Sequence, residues 1–488
     1  AAELLRIEGA SEAALMEVRV PAAAQEGDVM RFTPGCQGEW DISCRRASSA
    51  EDAQIGSMAR PCQEAEAQPL RPVVIAHDPE RNFAGMAAAI RECGGFVSAK
   101  LTRQRCYETG LGIFASEPIA VGEELVRVPS WLHLSPQTLQ EAMPDLFDAV
   151  VAMPPILLRR TFCDRLSACA PPEAFRVLLS SSVAAVGCCL ATLLRSRGDR
   201  IDLGSPLRDS VWSMYCQVLC SEDFREHLVW RATEDPSGLA ASLSPSRECF
   251  LAEDQAREFR AYHDALSACV DSELLGGEID YATYLQARLS SITRQFETKD
   301  HSSLVPMVDF FNHSSDAGAS WRYDEATGSM SVVAERACEA GAQVFIAYGR
   351  LNNVTLLRQY GFTLPTSRDE SWTYALNGGT PADLYDEFLP PRLRHHCLTL
   401  ESDSLDDSLV QALNGCAREH GQAATFLHGL CSRLRKAYEE DASLEAALAA
   451  LHNGSGSCDW EAAVVPETDR WQQSCMRLKV TEFLCLTA

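Results

Sequence analysis

Apolar and polar positions follow two different rhythms along these 488 residues. Short strand-like pieces occur in FVSAKLTR from Phe96, LGIFA at 111–115 and EELVRVP at 123–129. They return in LVPMVDFF from Leu304, SMSVVAE from Ser329 and AQVFIAY from Ala342. Alternate side chains of a strand face opposite sides, so these pieces, punctuated by Gly and Pro, predict two β blocks at about 96–135 and 300–348. Between them, from about 140 to 290, apolar residues recur at helical spacing. AVVAMPPILLRRTF, SVAAVGCCLATLLRSR, QAREFRAYHDALSACV and YATYLQARLSSI carry this pattern, which predicts amphipathic helices. FAGMAAAIREC, from Phe83, has the same spacing and runs into Gly94-Gly95, a helix stop. After Pro365 helical stretches return in LVQALNGCAREH, AATFLHGLCSRLRKAYEE and WQQSCMRLKVTEFLCL.

The chain ahead of Phe83 differs. LMEVRV, DVMRF and EWDI are short apolar runs broken by Pro21, Gly27, Pro34 and Gly38, a pattern that predicts a small β module over 1–46. Residues 47–80 turn to Ser, Ala, Glu, Gln and Pro and read as a linker. The pattern as a whole predicts an α+β protein: a β-rich core over 81–365 split by a helical insertion at about 140–290, then a helical region over 366–488.

Composition narrows the functional classes. With 68 acidic against 43 basic residues the net charge is −25, which opposes binding to a phosphate backbone and favours a basic protein partner. The 20 cysteines are scattered without a short-period framework or a C-x-x-C pair, so they read as reduced, mostly buried thiols rather than disulfides or a zinc site. No run of about eighteen uncharged apolar residues is present to span a membrane, and AAELLRIEGA at the start has no signal-peptide pattern. An intracellular monomer is expected, with cytoplasm, nucleus and plastid all open. The sequons at Asn312, Asn353 and Asn453 then read as chance matches.

Three segments carry candidate chemistry. Asn312-His313-Ser314 ends the apolar run from Leu304 and admits a glycosylation site, a catalytic or metal-binding histidine, or a backbone platform for a cofactor. Gly110 and Gly112 bracket Leu111 just before a strand, where the backbone can bend and approach a ligand, as a plain hairpin turn also would. They do not open a helix, so this is no dinucleotide fingerprint. Tyr348 stands at a strand end and Tyr360 at the end of a short helix before Gly361-Phe362; singly, both read as core aromatics.

In this order, G-x-G at 110–112, GEELVRVP, DFFNHS, IAYG and NNVTLLRQYGF resemble the hallmark segments of SET-domain protein methyltransferases. The helical insertion and helical C-terminal region resemble the group that includes the Rubisco large-subunit lysine methyltransferase and the actin-histidine methyltransferase. The resemblance covers about residues 80–488 and is strongest over 100–135 and 290–365. It implies a SET core, a C-terminal substrate-binding domain, S-adenosylmethionine as methyl donor and no metal. It places Asn312 and His313 as a cofactor platform and Thr109, Gly110 and Leu111 at the cofactor's methionine moiety; Thr109 stands where the family often has an acidic residue. It implies Arg294 near the cofactor carboxylate and target channel, Asp309 and Tyr360 lining that channel, Phe362 beside the adenine and Tyr348 as the catalytic tyrosine. The expected activity is lysine N-methylation of a non-histone protein. The alternatives are a histidine acceptor and a catalytically inactive SET-fold binding module.

Overall fold

A computed structural model describes residues 79–106, 109–153, 182–196, 201–246, 248–298, 301–365, 423–441, 444–445, 447–448 and 470–487, with the backbone of eight strands at 4–7, 16–19, 28–34, 40–46, 156–159, 175–178, 371–375 and 397–401. Of the expected linker over 47–80, residues 47–78 lie outside the described residues, as does the helix read in LVQALNGCAREH. The chain forms two compact units, residues 1–70 with 155–179 and residues 71–154 with 180–488. In the first, β1 (Leu4–Ile7), β2 (Met16–Arg19), β3 (Asp28–Pro34) and β4 (Trp40–Arg46) make a four-stranded sheet in the order β1-β2-β4-β3.

The second unit opens with α1 (Pro79–Glu92), whose buried stripe of Phe83, Met86, Ala87 and Ile90 has the spacing seen in the sequence. Gly94, at φ 81°, ends it. Then come β5 (Phe96–Val97), β6 (Leu101–Cys106), β7 (Gly110–Ala115) and β8 (Glu124–Val128), followed by α2 (Pro136–Ala142) and α3 (Pro144–Val151).

Here one expectation fails. The stretch AVVAMPPILLRRTF is not one helix: α3 ends at Val151, and Ile156–Arg159 is a strand, β9, paired antiparallel with β10 (Phe175–Leu178). Pro154-Pro155 explain the break, since each lacks an amide N–H and disfavours a helical conformation in the residue before it. The insertion resumes as α4 (Ser182–Arg195), α5 (Pro206–Cys220), α6 (Leu228–Glu234), α7 (Pro236–Leu243), α8 (Glu248–Cys269) and α9 (Tyr281–Arg294). It is anchored to the core where the fully buried Trp212 donates its indole N–H to the Leu132 carbonyl at 2.9 Å. Cys188, Cys189 and Cys216 are buried free thiols in α4 and α5.

The second β block supplies β11 (Gln295–Glu297), β12 (Ser302–Leu304), β13 (Asn312–His313), β14 (Ala319–Asp324), β15 (Ser329–Ala334) and β16 (Phe345–Ile346). A six-stranded sheet runs β13-β16-β14-β15-β8-β5. Its join is β8 on β15, with Val126 opposite Val332 and Val128 opposite Met330. All four side chains are buried, so the two sequence blocks form one core. The run from Leu304 is not a continuous strand either. Pro306 interrupts it, Met307 takes φ 73°, and Val308–Phe310 form a 3-10 turn. This conformation is strained for a residue with a side chain, and it turns Asp309 into the interior.

Beyond the sheet lie α10 (Asn353–Tyr360), strands β17 (Ser371–Ala375) and β18 (Cys397–Glu401) as an antiparallel pair, α11 (Ala423–Glu439) and α12 (Arg470–Thr487). Among the described residues beyond 365 the elements are helices α11 and α12 and the two-stranded ribbon. Among the described residues no helix is long and apolar enough to cross a membrane.

Candidate active site

The β6–β7 hairpin brings Thr109, Gly110 and Leu111 to Asn312. The Asn312 amide nitrogen donates to the Thr109 and Leu111 carbonyls, each at 3.1 Å. Gly110 lies between those carbonyls with φ 73°, in the left-handed region that favours glycine, and a Cβ there would meet no atom within 4 Å. Gly112 is required for the opposite reason. A Cβ on it would stand 2.2 Å from Gln343 Nε2 and 2.7 Å from Asn312 Nδ2. Gln343 completes the corner by accepting from the Thr109 hydroxyl at 2.8 Å, while its own amide nitrogen is buried without a partner.

His313 follows on β13, which pairs in parallel with β16 so that His313 is opposite Ile346. Its Nδ1 accepts from the Tyr348 amide at 3.1 Å, which leaves the proton on Nε2, buried and unpartnered. Burial pushes the ring's pKa down from its ordinary 6.5, so the imidazole is neutral. Among the described residues no group of three His, Cys, Asp or Glu side chains could hold a metal ion.

Tyr348 lies just beyond β16 and donates its hydroxyl to the Phe311 carbonyl at 2.9 Å. Its ring packs 5.1 Å from His313 and 5.0 Å from Tyr360, and Phe362 lies 6.2 Å from Tyr360 and 6.3 Å from His313, centroid to centroid. Burial raises the Tyr348 phenol above its usual pKa, with coulombic contributions of both signs from neighbours, so it stays protonated. Tyr360 ends α10, which Asn352 caps by accepting from the Thr355 amide at 2.8 Å and Gly361 closes at φ 78°. The adjacent Asn353 is 1% exposed and bonds through both amide atoms to Leu364, so that sequon is closed to glycosylation.

Beneath the aromatic cluster lies a buried ionic network. Asp309 Oδ2 accepts from Tyr215 Oη at 2.6 Å and Arg294 Nη1 at 2.9 Å. The same Nη1 donates to the Asp309 carbonyl at 2.9 Å, and Nη2 meets Glu222 at 2.7 Å. Arg103, its guanidinium 4.1 Å above the Phe310 ring, approaches Glu222 at 3.8 Å. Two cations face two carboxylates, the arrangement that makes buried charge tolerable. Desolvation raises the Asp309 carboxyl and Arg294 opposes that shift; desolvation lowers Arg103 to about 10. Asp309 Oδ1 remains buried without a partner.

The structure thus gathers Thr109, Gly110, Leu111, Asn312, His313, Tyr348, Tyr360 and Phe362 in one contiguous site, with Arg294 and Asp309 in the network under it. It also adds four residues that sequence reading passed over. Gln343 is hidden in an ordinary strand pattern, Arg103 occupies an inward position of β6, Tyr215 lies on an amphipathic helix, and Glu222 follows that helix with no local signal.

The glycine-lined corner fits a small ligand laid against backbone. A Cβ on Gly112 would displace the Gln343 and Asn312 amides, Gly110 faces open space, and Gln343 Nε2, His313 Nε2 and Asp309 Oδ1 are buried polar atoms without partners.

Residues 110–349 match the SET domain family. The chain is 34% identical over 67 residues to the ribosomal lysine N-methyltransferase set11 of Schizosaccharomyces pombe, a stretch covering 14% of this chain and 17% of that relative. Among solved structures, the fold resembles the SET domain of LSMT bound to lysine and AdoHcy, with a TM-score of 0.53 and 16% identity over 83% of this chain and 89% of that one. It resembles Rubisco LSMT bound to AdoMet equally, with a TM-score of 0.53 and 17% identity over 84% and 90%. The family match runs from Gly110 to Gly349, the span that contains the hairpin, the Asn312-His313 corner and Tyr348, so residues 110–349 of this chain are a SET domain.

Proposed function

We propose that this protein is an S-adenosylmethionine-dependent protein-lysine N-methyltransferase acting on a non-histone protein. The observation that carries the reading is the bridge from Asn312 to Thr109 and Leu111, adjoining the aromatic cluster that holds Tyr348. The likeness to LSMT chains bound to AdoMet and to lysine supports the donor and the acceptor, and the ribosomal lysine methyltransferase relative supports a non-histone target.

Thr109, Gly110, Leu111, Asn312, His313 and Arg294 would hold the cofactor, with Phe362 beside its adenine. When bound, S-adenosylmethionine supplies an electrophilic methyl on a sulfonium. The protein's own task is alignment of the amine. A lysine with pKa ~10.4 must present its neutral form, and the apolar faces of Tyr348, Tyr360 and Phe362 favour that form by desolvation. With its hydroxyl donating to the Phe311 carbonyl, the Tyr348 oxygen can accept from an amine N–H and aim the lone pair. Asp309, fixed by Tyr215 and Arg294, holds the channel floor. The C-terminal helices α11 and α12 would dock the protein substrate.

Incubation with radiolabelled S-adenosylmethionine and cell lysates should label a protein band, and mass spectrometry should place the methyl group on lysine. Labelling of an imidazole would replace the lysine assignment by histidine. Tight cofactor binding with no transfer by folded protein would make the chain an inactive binding module.

A further inference from the structure

A cleft of about 450 Å³ lies beside the transfer site, lined by Arg105, Arg225, Arg231 and Arg470 with Asp223 and Glu226. Four guanidiniums against two carboxylates make it a local positive site on a chain of net charge −25. Arg105 is exposed on β6, two residues from Arg103 and so on the same face of the strand. Arg231 is held with its guanidinium 3.9 Å above the Trp471 ring, and its Nε is buried without a partner. Arg225 is aimed by Asp223, which accepts from its backbone amide at 3.1 Å and its Nε at 2.9 Å.

The loop that forms the cleft floor is gripped by the transfer site at both ends. At one end Glu222 meets Arg294 at 2.7 Å. At the other, the His227 ring bonds the Gln359 carbonyl at 3.2 Å, and its Cα stands 3.2 Å from where a Cβ on Gly361 would lie, just past Tyr360. Asp223, Arg225 and Glu226 lie between these two anchors. An occupant of the cleft therefore has its chain neighbours next to the cluster of Tyr348, Tyr360 and Phe362.

We infer that the cleft binds a carboxylate side chain of the protein substrate, a Glu or Asp close in sequence to the methylated lysine. Planar guanidiniums match carboxylate geometry and make strong charge-assisted hydrogen bonds. The two acidic residues in the lining weaken the field that a phosphate dianion or a nucleic-acid backbone would need. The chain's overall negative charge does not prevent this contact, because fields are screened beyond about 10 Å at 0.1 M salt and the four arginines act at contact distance. The inference rests on the methyltransferase reading, whose target lysine gives the cleft its neighbour.

The test uses the full chain and two fluorescent peptides with a central lysine, one flanked by Glu and the other by Gln. Anisotropy at about 0.1 M salt, where the chain's distant negative charges are screened, should show the Glu peptide binding about tenfold more tightly. The exposed-residue variants Arg105→Gln and Arg225→Gln, combined, should remove that advantage. Equal affinities for the two peptides, or an advantage that survives the double substitution, would overturn the carboxylate site. Calorimetry with S-adenosylmethionine on the same preparations judges the underlying activity separately: absence of cofactor binding would reject the methyltransferase reading, while the peptide comparison would still decide the cleft.

Discussion

The Asn312 side-chain amide nitrogen reaches across 203 and 201 positions of sequence to donate to Thr109 O and Leu111 O, each at 3.1 Å. One primary amide thereby fixes the curve of the hairpin around Gly110. Asn312→Ala removes both bonds, each contributing about 0.5–1.5 kcal/mol, so cofactor affinity should fall ~10- to 100-fold. Titration calorimetry with S-adenosylmethionine reads this directly, and an unchanged dissociation constant would remove Asn312 from the platform.

Gly112→Ala should be nearly as harmful, because its methyl group would overlap Gln343 Nε2 and crowd Asn312 Nδ2. Overpacking of this kind costs about 1–3 kcal/mol. The Gln343 side chain is the nearer obstacle, so adding Gln343→Ala should recover part of the loss in thermal stability. No recovery in the double variant would place the strain elsewhere.

Tyr348→Phe keeps the ring contacts with His313 and Tyr360 and removes the hydroxyl that meets the Phe311 carbonyl at 2.9 Å. Turnover should fall by about 10²–10³, the usual cost of losing one oriented hydrogen-bonding group at the reacting centre. Cofactor affinity should stay close to that of the parent chain. Parallel single-turnover and binding measurements test the split, and equal losses in both would refute an orienting role.

Stability should peak near pH 6.5. Burial lowers His133 and His227 from 6.5 to about 4. The unfolded chain therefore takes up protons that the folded one refuses, and stability falls as pH drops from 6.5 toward 4. Glu482 acts oppositely. It is fully buried, accepts from Ser246 Oγ at 2.9 Å and from the Tyr438 hydroxyl, and is raised to about 8 by burial first and by Glu248 second. The folded chain keeps a proton there that the unfolded chain has released, so this stabilisation declines as pH rises from 4.5 to 8. Glu482→Gln should flatten the decline in melting temperature between pH 6.5 and 8. An identical slope in variant and parent would exclude Glu482 as its source.

Periodicity alone determined most of the elements and the order of the site segments. Alternation in SMSVVAE and EELVRVP became β15 and β8, and helical spacing in FAGMAAAIREC became α1. These patterns are local, set by side-chain direction and the need to bury one face. The glycine pair at 110–112 and the Asn312-His313 step were legible as well, because tight approach demands particular residue types. What the tertiary structure alone decided was partnership. The pairing of Val126 with Val332, the Gln343 contacts with Thr109, and the convergence of Tyr215, Glu222 and Arg103 under Asp309 join residues that carry no mark of one another in sequence. Long-range packing also overrode local reading where Pro306 and Met307 break an apolar run. A buried charge such as Asp309 reads as an ordinary polar residue until the fold supplies Arg294 and Tyr215 to meet it, since compensation across elements depends on distances that only folding creates.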